Sequence, residues 1–120
     1  MPDQSEHRKR RWRFYRTANG HEPVRAFLDS LSDDDASEIV AVMKEITAEG
    51  MGAARHVRDE IYEARATGAT QTFRILFATE GRFHHVLLAL EGFSKKTRKT
   101  PTHEIELAIK RLADWRSRGQ

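Results

Sequence analysis

Two arginines sit inside apparent strands. One is Arg65 in Tyr62-Glu63-Ala64-Arg65; the other is Arg74 in Phe73-Arg74-Ile75-Leu76-Phe77. A lysine-rich run, Phe93-Ser94-Lys95-Lys96-Thr97-Arg98-Lys99-Thr100-Pro101, follows a third apparent strand. Thr67-Gly68-Ala69-Thr70 reads as the turn between the first two, which sets Arg65 and Arg74 roughly opposite each other. Opposed residues project to one sheet face with ~5 Å between their Cβ atoms. Like charges that close repel, so they need an anion or a carboxylate between them. Glu63, two positions from Arg65 on the same face, can be that carboxylate. The set then reads either as an Arg–Glu–Arg network fixing strand register or as a cradle for an anion with Glu63 as its internal counter-charge.

The cations that follow favour the anion. Lys95, Lys96, Arg98 and Lys99 fall on one short connector, where their mutual repulsion would be relieved by a bound polyanion. RNA is the polyanion these groups suit best. Its 2′-hydroxyl attacks the adjacent phosphate when the groups are aligned, the charge on phosphorus is neutralised and protons are moved. Arg65, Arg74 and Lys96 fit charge neutralisation, and Lys95 or Lys96, crowded by other cations, is a conceivable base. Arg98 and Lys99 would hold the backbone. Phe93 would either stack a base or pack in the core. Glu63 is a poor base, because arginines on either side favour its charged form. His56, His84, His85 and His103 are further candidates for proton transfer. Gly-rich phosphate loops, HExxH pairs and nucleophile elbows are absent. Asp33-Asp34-Asp35 reads as the acidic first turn of a helix, so neither metal nor cofactor is expected.

The formal net charge of +3 hides segregation. Residues 1–28 hold seven Lys/Arg against three acids, residues 29–63 three against ten, and residues 64–118 eleven against five. Two surfaces of opposite sign are expected. The chain has no cysteine, no apolar run near the ~18 residues of a membrane span, and no apolar segment behind its basic start. The expectation is a cytoplasmic protein with no disulfide and no signal peptide.

The elements that must position the cations follow from periodicity. Residues 1–11 read as a disordered basic tail, and residues 12–118 as one domain. Trp12 to Arg16 is a short aromatic strand. Pro23 opens a helix whose buried stripe is Val24, Phe27, Leu28 and Leu31. Ser32 caps a second helix, with Ala36, Ile39, Val40, Met43 and Ile46 inward and Gly50 as its stop. His56 to Asp59 leads into a strand at Ile61–Arg65, followed by strands at 72–77 and from Phe83 to Leu90, the last ending at Phe93. Thr100 caps the final helix, with Pro101 at its first position and Ile105, Ala108, Ile109, Leu112 and Trp115 inward. The expected fold is α+β, in the order β-α-α-β-β-β-α. A twisted antiparallel sheet carries the helix hairpin on one face and the C-terminal helix against another part.

Taken in order, several stretches resemble a known family. They are the Trp12 strand, Pro23-Val24-Arg25-Ala26-Phe27-Leu28, Tyr62-Glu63-Ala64-Arg65, Phe73-Arg74-Ile75, Gly92-Phe93-Ser94-Lys95-Lys96-Thr97 ending at Thr100-Pro101, and Glu104 to Ala108. Over about residues 12–113 the chain resembles RelE/ParE-superfamily toxins of type II toxin-antitoxin systems, in the HigB-like, phage-associated branch. The resemblance implies a RelE-like fold and a ribosome-dependent, metal-independent mRNA endonuclease (an mRNA interferase) that inhibits translation. By motif position it maps the basic set onto Arg65, Arg74 and Lys96. Some RelE-like members carry a tyrosine near the start of the last helix, where this chain has Thr102. The implied partners are the ribosome, mRNA and a HigA-like helix-turn-helix antitoxin in a hetero-oligomer, with no membrane. ParE-like relatives inhibit gyrase on the same fold, so a non-nuclease toxin or an inactive binding module is the alternative.

Overall fold

The computed structural model describes residues 9–96 and 98–119. Its elements are β1 (Arg11–Phe14), α1 (Pro23–Ser30), α2 (Asp33–Glu49), β2 (Arg55–Arg58), β3 (Ile61–Thr67), β4 (Thr72–Glu80), β5 (Val86–Lys95) and α3 (Thr102–Ser117). A 3-10 turn at Met51–Ala53 joins α2 to β2. Of the expected basic tail, residues 1–8 lie outside the described residues, and Arg11 opens β1.

Local signals set the helices. Pro23 starts α1. The Ser32 hydroxyl accepts from the Asp35 N–H at 3.2 Å, and Asp33, Asp34 and Asp35 fill the first turn of α2, where they face the positive end of the helix dipole. Gly50 ends α2 at φ 96°, and its N–H donates to the Ile46 carbonyl at 2.9 Å. A left-handed φ of this kind is open to glycine at little cost.

The sheet runs β1-β5-β4-β3-β2. The meander β3-β4-β5 is antiparallel as expected, but the sheet as a whole is mixed, because β1 lies parallel to β5. The long connection from β1 to β5, through α1, α2 and β2 to β4, permits the parallel pairing that a hairpin forbids. A second correction is β2. The segment expected to lead into a strand is itself a strand, paired antiparallel with β3 and bulged between His56 and Arg58. A third concerns β5, which begins at Val86 rather than Phe83 and extends through Lys95. His84 has φ 55° in the preceding turn.

The two sheet faces carry separate cores. Val24, Ile39, Met43 and Ile46 of the helix hairpin pack on Ala64, Phe73, Ile75, Phe77 and Leu87. Ile105, Ala108, Leu112 and Trp115 of α3 pack on the opposite face against Ile61, Leu76, Leu88, Leu90 and Phe93. Strand alternation divides the side chains between them. Gly92 lies where α1 crosses β5: a Cβ there would stand 2.4 Å from Cδ2 of Phe27. Among the described residues no helix is long and apolar enough to cross a membrane.

Candidate anion-binding site

The register of the meander places the cations. Arg65 of β3 is paired with Arg74 of β4, and Arg74 with Phe93 of β5. These three form one row across the sheet on the α3 face. Lys95, paired with Thr72, continues that face by one step. Glu63 lies one step the other way, beside Leu76.

Glu63 is 1 % exposed, and both of its oxygens are engaged. Oε1 accepts from Nε of Arg65 at 2.8 Å and lies 2.8 Å from Nη2 of the same guanidinium in an ion pair. Oε2 accepts from the Thr100 hydroxyl in a short hydrogen bond. The helix-capping role expected of Thr100 is therefore not taken. Pro101 holds the N-cap position of α3 with no side-chain cap, because the Thr100 hydroxyl is drawn to a buried carboxylate. Arg65 also donates from Nη2 to the Arg98 carbonyl at 2.9 Å. One guanidinium thus ties β3 to the connector after β5, while 29 % of its side chain stays open to solvent.

Arg74 is fully buried, its guanidinium carbon 5.9 Å from the centre of the Phe93 ring. Burial first, then the charge of Arg65, pull its pKa below the usual arginine value, while Glu63 opposes the shift. Phe93 is itself 7 % exposed and belongs to the α3-side core. Of the two roles expected for Phe93, the structure places the ring in packing, against Arg74 and α3, and not open to a base.

The remaining residues divide. Lys95 is half-buried; Lys96, Arg98 and Lys99 are exposed. Lys96 turns away to line a shallow depression with Thr67 to Thr72 at the β3–β4 turn. The structure thus brings together Glu63, Arg65, Arg74, Phe93 and Lys95, and sets Arg98 at the rim through its carbonyl. It does not bring His84 or His85. Both lie in the β4–β5 turn, about 20 Å along the strands from Arg74. His56 contacts the Asp59 carbonyl at 2.7 Å beside β2.

One feature at the site's edge lies outside the cationic motifs of the sequence. Glu104, in the first turn of α3, is 8 % exposed and hydrogen-bonded to Glu91 of β5. Glu91 in turn accepts from Nη1 of Arg111 and from the Gly92 N–H, both at 3.0 Å. Burial first, then the charge and hydrogen bond of Glu91, push the Glu104 carboxyl up to about 7, against the pull of Lys95 and Arg111. The signal was present: Glu104 is four residues before Ala108 and so falls on the buried stripe of α3.

The site carries a carboxyl group that titrates near neutrality beside a cluster of cations, on a chain with comparable relatives. Residues 26–113 match the family described as phage derived protein Gp49-like (DUF891). The chain belongs to this family. It is also 32 % identical over 108 residues to a protein named "Probable endoribonuclease HigB1" from Mycobacterium tuberculosis, covering 88 % of this chain and 84 % of that one. The same figures hold in a second strain, H37Rv. The HigB-like, phage-associated resemblance read from the motifs is borne out by both matches.

Proposed function

We propose that this Gp49-like chain is the toxin of a toxin-antitoxin pair and an endoribonuclease that cleaves mRNA on the ribosome without a metal. One observation carries the chemistry: Arg65 stands opposite buried Arg74, clamped by Glu63 and the Arg98 carbonyl, and remains partly open at the mouth of a cationic connector. The name of the mycobacterial relative supports the same reading.

The roles follow from exposure. Arg65 meets the scissile phosphate and stabilises the charge that builds on its oxygens. Arg74 is too deep to touch RNA and raises the local potential from beneath. Lys95 flanks the phosphate, and Arg98, Lys99 and Lys96 guide the strand in. Glu63 holds Arg65 in place and is not the base. Glu104, which exchanges a proton near neutrality, is a better candidate for proton transfer than the distant His56, His84 and His85; His103, whose Nε2 lies 3.7 Å from Oε1 of Glu104, is the one histidine of the four beside it. A cognate antitoxin, of the HigA-like helix-turn-helix type, keeps the toxin inactive in the cytoplasm.

The test is primer extension on mRNA in a purified translation mixture. New 5′ ends in the open reading frame are expected, needing ribosomes but no metal beyond the Mg2+ that holds the ribosome together. Growth arrest with intact message and inhibited DNA supercoiling would replace the nuclease with a gyrase poison.

A further inference from the structure

The far side of the molecule carries a second cationic feature. β1 is an edge strand: among the described residues, only β5 pairs with it. The Arg11 and Tyr15 N–H groups donate to the His85 and Ala89 carbonyls, each at 2.9 Å. Alternation then turns the backbone N–H and C=O groups of Trp12 and Phe14 outward. A cleft of about 360 Å³ straddles this edge. On its α3 side Arg13 lies over the Trp115 ring at 5.0 Å. On its α1 side Arg25 lies over the Phe14 ring at 4.5 Å. Arg16 and Arg118 complete the lining.

The charge of the cleft is only partly offset. Glu22 is shared by Arg25 at 2.8 Å and Arg16 at 3.5 Å, and Asp114 is taken by Arg118 at 2.8 Å. A strand added at this edge would send alternate side chains to both sides and meet guanidinium groups on each. Outward carbonyls are repelled by phosphate but accept from peptide N–H groups, which favours a polypeptide over a nucleic acid. A second copy of the same edge would set arginine against arginine. β2, the opposite edge, is broken by its bulge, a common guard against strand addition, whereas Arg11–Phe14 pairs in unbroken register.

We propose that the outer edge of β1 docks an acidic, extended segment of a protein partner, added to the sheet as a sixth strand. Docking here goes beyond the nuclease reading and does not depend on it: Ala89, beside β1, is about 20 Å along β5 from Lys95.

The probe is a ten-residue peptide alternating glutamate with valine or threonine, titrated into the full chain. Fluorescence anisotropy reads binding, and amide exchange reads Trp12 and Phe14. The glutamate peptide should bind and slow exchange at both amides at least tenfold. Arg13→Glu with Arg25→Glu should weaken it at least tenfold, with circular dichroism confirming the fold. A lysine version, and a glutamate version N-methylated at alternate residues, should not bind. Equal binding by the N-methylated peptide would reduce the edge to surface charge and overturn the proposal without reference to any variant. So would failure of the glutamate peptide to bind, slow exchange at both amides before any peptide is added, or displacement of bound peptide by an equimolar oligouridylate.

Discussion

The two ends of α3 solve the same electrostatic problem in opposite ways. At the C-terminal end, Arg116 is held by two carboxylates: Nη1 meets Glu60 at 2.7 Å and Nη2 meets Glu80 at 2.7 Å. Those bonds lift its pKa above the usual arginine value. At the N-terminal end, Arg65 shares one buried carboxylate with Thr100, faces buried Arg74 across the strands, and opens toward Lys95 and the connector. The helix dipole adds partial negative charge to the first end and partial positive charge to the second. Arg116 is a clamp joining α3 to the sheet. Arg65 is held in place but left with attraction to spare, which is what an anion site requires.

That contrast can be broken residue by residue. The largest effect on stability is expected from Glu63→Ala. Removing a buried carboxylate strands Arg65 beside Arg74 and leaves the Thr100 hydroxyl without its acceptor, which should cost about 3 kcal/mol in urea unfolding. A loss under about 1 kcal/mol would mean that the cations do not need Glu63. Arg65→Ala should lower cleavage at least ~100-fold, the scale of losing one transition-state donor, with the fold retained by circular dichroism. Loss of the fold together with activity would make Arg65 a register-fixing residue, the other role its sequence position allowed.

A pH effect should separate the ends more finely. The Glu104 carboxyl titrates at about 7 in the folded protein, above the ~4.3 of an unperturbed glutamate. Between these values the folded state keeps a proton that the unfolded chain releases. This contribution to stability is complete below about pH 4 and disappears as pH rises through about 7. Glu104→Gln should therefore flatten the stability profile between pH 5 and 8 and gain on the wild type toward pH 8. A profile of unchanged slope would show that Glu104 is ionised throughout. The smallest effect belongs to the clamp: Glu60, 64 % exposed in its side chain, should cost under ~1 kcal/mol when changed to alanine and leave cleavage untouched.

How much of this was legible in the sequence depended on the range of the interaction. The Arg65–Arg74 opposition followed from one turn length and strand alternation, and the register bears it out. The Ser32 cap and the Gly50 stop are equally local, and both formed. The parallel pairing of β1 with β5 joins residues more than seventy positions apart, and no local pattern encodes it. Thr100 illustrates the limit: a Thr-Pro pair before a helix reads as a cap, and only the folded chain brings the Glu63 carboxylate to its hydroxyl. Phe93 was open between core and surface because a run of cations begins two residues after it, while α3 covers it from a distance. Glu104 was hidden by its charge, since an acid in a first helical turn has a sufficient local explanation in the dipole.

The central claim is that Arg65 acts on RNA rather than only on the fold. The direct measurement is the rate at which message is cut in a purified translation mixture by the wild type, Arg65→Ala and Arg116→Ala at equal folded concentration. Cleavage lost with Arg65→Ala and kept with Arg116→Ala is the predicted result. Equal cleavage by all three proteins would contradict the account.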